Sequence, residues 1–133
     1  MYKRQGLVDA QLLYVPDVSI PGKGSHNVLF VASEHDTVYG VDADSGSVLW
    51  QVTALAANET PSDNRGCGQV TPDIGITSTP VIDLSAGPHG TIYLVAMSKD
   101  ASSNSVSYTH LSSGWNRPCW RCYRLHHPVP TFS

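Results

Sequence analysis

The chain has 133 residues, three cysteines, 14% charged residues and a formal net charge of −3. That length suffices for one domain with a core, and the slightly acidic balance gives no reason to expect nucleic acid or an anionic membrane as a partner. The apolar runs are too short to span a bilayer, an odd cysteine count is no disulfide framework, and 11 Gly with 9 Pro favour short strands and turns over helices.

Met1 to Gln5 leads directly into strand-like sequence with no apolar h-region, so no signal peptide is expected. Gln11 to Val15 reads as a first strand that Pro16 stops, and Asp17 to Ser25, with Pro21, Gly22 and Gly24, reads as a loop. Asn27 to Ser33 is an apolar, β-branched run without alternation, the pattern of a strand covered on both faces. Glu34-His35-Asp36 makes a turn, Thr37 to Asp42 a third strand and Ser47 to Val52 a fourth. Between these last two lies Ala43-Asp44-Ser45-Gly46. Asp and Ser hydrogen-bond their own backbone, and Gly46 supplies the positive φ of a bulged hairpin turn. Residues 11–53 thus form an antiparallel meander, which needs neighbours stacked on it to bury both faces.

Ala54 to Ile76 reads as a long polar connection, of the length that in compact domains is functional or decorates a surface. A second unit follows, with a strand over Thr77 to Asp83, a turn over Ser85 to Gly90 and a strand over Thr91 to Ser98. His26 to Asp36 recurs as Gly90 to Asp100 at a constant offset of 64 residues. The pattern breaks after Asp100: the expected third strand is replaced by a weak one over Val106 to Leu111. From Trp115 the sequence turns rich in Trp, Cys, Arg, His and Pro, with no acid and no period. Selection for folding does not generate such a run, so residues from about Trp115, or from Ala101, are expected to be frame-shifted or chimeric.

The stretch Gly40-Val41-Asp42-Ala43-Asp44-Ser45-Gly46-Ser47-Val48-Leu49-Trp50 resembles the tryptophan-docking motif of pyrroloquinoline-quinone-type (PQQ-like) β-propellers, Ala-x-Asp-x-x-Thr-Gly-x-x-x-Trp. Gly40 stands for the usual Ala and Ser45 for Thr. The likeness covers about residues 10 to 100 and implies an all-β fold of propeller blades, about one and a half of them: blade one over 11–53, a long loop over 54–76 and a partial blade two over 77–100. The remainder, 101–133, is a degraded repeat and irregular tail. Within the motif, Asp42, Asp44, Ser45 and Gly46 hold the turn, and the planar face of Trp50 suits packing between adjacent blades.

By this resemblance the chain is a non-catalytic fragment of a secreted or periplasmic propeller, a binding or assembly scaffold whose partners are the missing blades of a longer parent. The alternative is a piece of a quinone-dependent alcohol or sugar dehydrogenase. Those enzymes use a catalytic aspartate, calcium and commonly a disulfide between adjacent cysteines, none of which can be placed on residues here. The resemblance therefore puts no cofactor in this chain and leaves pyrroloquinoline quinone to a full-length parent.

Four further groups invite a functional reading. Glu34-His35-Asp36 sets an acid, a base and a carboxylate in a row, but neighbouring strand residues point to opposite faces, and a solvated hairpin turn is the expectation. Cys119-x-x-Cys122 with His126 has zinc spacing, yet only one half-site exists and no element frames it. Cys67 reads as a partly buried loop cysteine or as one pairing with a cysteine elsewhere in a longer parent, and Asn58-Glu59-Thr60 as an N-glycosylation acceptor pattern on an exposed loop.

Overall fold

The computed structural model describes residues 7–20, 22–64, 66, 68–86 and 90–102, and the backbone of 105–108. The readings of Cys67, of Cys119, Cys122 and His126, and of the tail from Trp115 lie outside the described residues. The chain is all-β, and among the described residues no helix forms.

Four strands follow one another as an antiparallel meander: β1 (Leu13–Ile20), β2 (Gly24–Ala32), β3 (Thr37–Asp42) and β4 (Val48–Thr53). Leu13 faces Phe30, Val28 faces Asp42 and Gly40 faces Trp50 across the ladders. Val28, Phe30 and Ala32 bury one face of β2, and Val38 from β3 joins them. Burying each of the valine and phenylalanine side chains stabilises by about 1.5–3 kcal/mol. Val31, on the opposite face of β2, is also only 3% exposed, so the continuous apolar run does mark a strand covered on both sides.

The expected stop at Pro16 is corrected. β1 runs through Pro16 to Ile20, because a bulge sets Pro16 and Asp17 together opposite Asn27. A bulge is one of the few places in a ladder where a residue without an N–H fits. Asp17 takes φ 53 there, and its amide donates to Asn27 Oδ1 at 3.3 Å. Val18 and Ile20, inside the expected loop, are buried at the two-residue spacing of a strand.

The expected loop 54–76 is also corrected, since it supplies two strands, β5 (Thr60–Asp63) and β6 (Asp73–Ile74). β7 (Val81–Asp83) pairs with β8 (Thr91–Tyr93), and Pro80, which has no amide hydrogen, precedes β7. The single strand expected over Thr91 to Ser98 divides. Its second part, β9 (Ala96–Lys99), leaves β7 and pairs instead with β5 and with β10 (Ser105–Tyr108), while β6 pairs antiparallel with β5. The physical reason is the returning 54–76 segment, which presents its own edge to β9, and the Met97 amide donates to the Gly75 carbonyl at 3.0 Å. One core unites the units: Ile76, Ile92, Leu94 and Ala96 pack with Val28, Phe30 and Ala32.

Candidate functional site

The turn between β3 and β4 is built around one carboxylate. Asp42 Oδ1 accepts the amides of Asp44 at 2.9 Å and Ser45 at 2.7 Å. Its backbone pairs with Ser47 and Gly46, and Gly46 takes φ 72, as the spacing requires. Asp42 Oδ2 meets His26 Nδ1 at 2.5 Å. The Ser45 amide first, then the His26 imidazole, draw the Asp42 carboxyl down to about 2, so it stays ionised at any ordinary pH. Asp44 Oδ2 accepts from Asn27 Nδ2 at 3.0 Å, and Ser45 Oγ accepts from the Ser47 amide at 3.3 Å. Every polar member of the motif is therefore occupied in holding two turns together.

Trp50 lies over its own sheet. Its indole stands opposite Gly40 and meets the Phe30 ring edge-on, with centroids 5.6 Å apart and planes at 62°. A Cβ at position 40 would run into the indole, reaching within 2.5 Å of Nε1. Glycine at position 40, where the resemblance expects Ala, is thus no neutral difference. It makes the room the indole occupies. A bulge places Leu49 as the extra residue between the Gly40–Trp50 and Val41–Val48 pairs, and Lys23 Nζ donates to the Leu49 carbonyl at 2.5 Å.

The Glu34-His35-Asp36 turn departs from expectation. Glu34 is 1% exposed and Asp36 0%, so the solvated turn is a correction. The reason is again the 54–76 segment, which folds back over the turn. Gly75 N donates to Glu34 Oε2 at 2.8 Å, Thr77 Oγ1 to the same oxygen at 3.0 Å, and Ile76 N to the Ser33 carbonyl at 3.3 Å. A side chain on Gly75 would strike the Glu34 carbonyl and come within 2.7 Å of Asp36 Oδ1. Among the described residues, neither Asp36 carboxyl oxygen has a hydrogen-bond partner, nor has Glu34 Oε1. Burial first, then the carboxylates of Glu34, Glu59 and Asp73, push Asp36 up to about 8, and at neutral pH it holds its proton.

His35 points the other way, its Nδ1 2.9 Å from Asp73 Oδ2. It lines an open cleft of about 380 Å³ with Thr37, Gln51, Val52, Thr53 and Leu55. Alternation holds as the sequence dictates: two carboxyls go inward and the imidazole outward. The acid, base and carboxylate therefore do not converge on one reacting atom. Asn58 is exposed at a turn with φ 71, as its loop reading expects, and Thr60 opens β5. Among the described residues, no group of three or more His, Cys, Asp or Glu is arranged to hold a metal ion, and no helix is long and apolar enough to cross a membrane.

The sequence singles out Asp42, Asp44, Ser45, Gly46 and Trp50 and gives no sign of His26, Lys23, Gly75 and Thr77, whose partners lie 16 to 43 residues away. The one available signal was the spacing of Glu34 and Asp36, which puts both on one face of the chain. Compared with protein-family models, curated proteins and solved structures, the chain matches none.

Proposed function

We propose that this chain is a non-catalytic part of a secreted or periplasmic PQQ-like β-propeller, a scaffold for binding or assembly whose immediate partners are further blades of a longer parent. The observation that carries this reading is the bare outer face of the second hairpin. Val81 and Tyr93, directly opposite each other on β7 and β8, are 63% and 40% exposed, and Val95 is 46% exposed. Apolar side chains grouped in this way mark a surface made to be covered. The motif carboxylates of Asp42 and Asp44 support it from the other side, since both are spent on turn geometry. The localisation and the blade architecture rest on the motif resemblance alone.

A planar, multiply carboxylated quinone calls for cationic side chains beside an aromatic shelf. The described lysines do not meet that need. Lys23 is tied to the Leu49 carbonyl, Lys99 lies 3.7 Å from Asp63, and the Trp50 indole covers Gly40. The test is titration of the protein with pyrroloquinoline quinone and calcium, followed by Trp fluorescence and by quinone absorbance with alcohols and sugars. The scaffold reading expects neither quenching nor reduction. Saturable quenching with substrate-dependent reduction would favour the dehydrogenase alternative. A longer reading frame should in turn protect the β7–β8 amides from hydrogen exchange, and unchanged exchange in that longer protein would sink the docking reading.

A further inference from the structure

His26 sits where two turns meet. Its Nδ1 lies 2.5 Å from Asp42 Oδ2 and its Nε2 lies 2.9 Å from the Lys23 carbonyl. Both partners are acceptors. A backbone carbonyl has no proton to give, and the Asp42 carboxylate, which also receives the Asp44 and Ser45 amides, is ionised. A neutral imidazole has one N–H and one lone pair, so it would leave one of these contacts facing lone pair to lone pair. Only the doubly protonated ring satisfies both.

We propose that His26 is a proton-operated clasp: as the imidazolium it ties the β1–β2 tip to the Asp42–Gly46 turn, and on losing its proton it releases one side. The elements packed around it supply its charged neighbours. Asp42 contacts it from β3, Asp44 from the following turn reaches the adjacent Asn27, and the Lys23 ammonium from the β1–β2 tip, bound to the Leu49 carbonyl, opposes the imidazolium with its charge. The hydrogen bonds to Asp42 and to Lys23 raise the affinity of His26 for its proton above the ordinary imidazole range. The Lys23–Leu49 and Asn27–Asp44 contacts do not involve the ring, so the released tip loosens without leaving the sheet. The ring is one-quarter exposed, enough to exchange its proton with solvent.

The sign follows from linkage. With the folded-state pKa above the unfolded one, the clasp contributes fully below the ordinary histidine range and is lost as pH rises through the folded-state value.

The experiment is nitrogen-resolved NMR of the His26 ring across pH 5 to 9 in the intact chain, with amide exchange of Lys23 and Ala43. The Lys23 amide closes the tip onto Ile20, and that of Ala43 joins the motif turn to Asn27. The proposal expects both ring nitrogens protonated at pH 6.5, a midpoint above that of a free imidazole, and protection of both amides, relative to their intrinsic exchange at each pH, lowered threefold or more once the ring deprotonates. Asp42→Asn keeps an oxygen for the Asp44 and Ser45 amides and should bring the midpoint down to the ordinary range or below. A single protonated nitrogen in the wild-type ring at pH 6.5, or a midpoint that Asp42→Asn leaves unmoved, would overturn it. If Asp42→Asn does not fold, the wild-type ring shifts decide alone.

Discussion

The two hairpins β1–β2 and β7–β8 share a repeat in sequence and differ in how they are clothed. At an offset of 64, Val28, Phe30 and Ala32 correspond to Ile92, Leu94 and Ala96, and all six are buried in one core. On the opposite face, Val31 is 3% exposed where Val95 is 46%, and Leu29 is half-buried where Tyr93 is 40% exposed. The same apolar pattern thus meets a covered environment once and an open one once. An inward face is dictated by the repeat, because every second residue must turn to the core. Whether the outward face is covered depends on what stacks against it, and that is a property of neighbours.

The largest effect should come from the shared inward face. Phe30→Ala removes a ring that packs in the core and against Trp50, and should cost about 3–5 kcal/mol. Leu94→Ala, its counterpart, should cost about 2–5 kcal/mol by the same mechanism. Denaturant titration measures both. A cost below 1 kcal/mol for Leu94→Ala would detach the second hairpin from the common core and break the comparison at its firmest point.

The next difference lies just beyond the strands, where Asp36 corresponds to Asp100. Asp36 is fully buried and neutral, and among the described residues its carboxyl has no hydrogen-bond partner, whereas Asp100 is half-buried and accepts the Ser102 amide at 2.9 Å. Asp36 has a folded-state pKa near 8 against an ordinary 3.8, so the unfolded chain gives up this proton first. The contribution is fully present below about pH 4, falls as pH rises through the window between the two values, and is gone above about 8. Within that window the slope approaches about 1.4 kcal/mol per pH unit. Asp36→Asn should flatten stability between pH 5 and 8, and Asp100→Asn should not. His26 titrates in the same direction but begins nearer pH 6.5, so its share survives in Asp36→Asn. A wild-type profile already flat from pH 5 to 8 would mean that the turn is hydrated.

Trp50 sharpens what the motif means. The resemblance expects Ala at position 40, yet a Cβ there overlaps the indole. Gly40→Ala should cost about 1–3 kcal/mol through overpacking, read from the thermal midpoint. A neutral or stabilising result would show that the indole readily leaves its own sheet, which is the behaviour needed for docking between blades.

How much of this was legible follows the range of each interaction. The Asp42–Gly46 turn could be read because its partners are within five residues, and β2, β3 and β4 because period and composition are local signals. Pro16 misled because a bulge, which depends on Asn27 across the ladder, overrides the local rule that proline ends a strand. The 54–76 segment misled for the opposite reason. Its polar residues look like a loop, but Thr60 to Asp63 gain strand geometry from Lys99 and Ser98 on β9. The burial of Glu34 and Asp36 follows from the same fold-back, with donors more than 40 residues away. Local chemistry and the pairing of successive strands were readable, and pairing with the distant 54–76 segment was not.

The smallest effects test the outward faces themselves. Val31→Thr and Val95→Thr make the same exchange, methyl for hydroxyl with little change of volume, at equivalent repeat positions. At Val31 the new hydroxyl is desolvated and should cost about 1–3 kcal/mol. At Val95 it meets water, and the change should stay within about 0.5 kcal/mol, the range for surface sites away from special features. The pair therefore measures cover directly, with the β propensity of Thr held common to both. Equal small effects would mean that the first hairpin is as bare as the second. In a longer protein that stacks another unit on β7–β8, Val95→Thr should rise toward the Val31 value, because covering the face is what gives the methyl its worth.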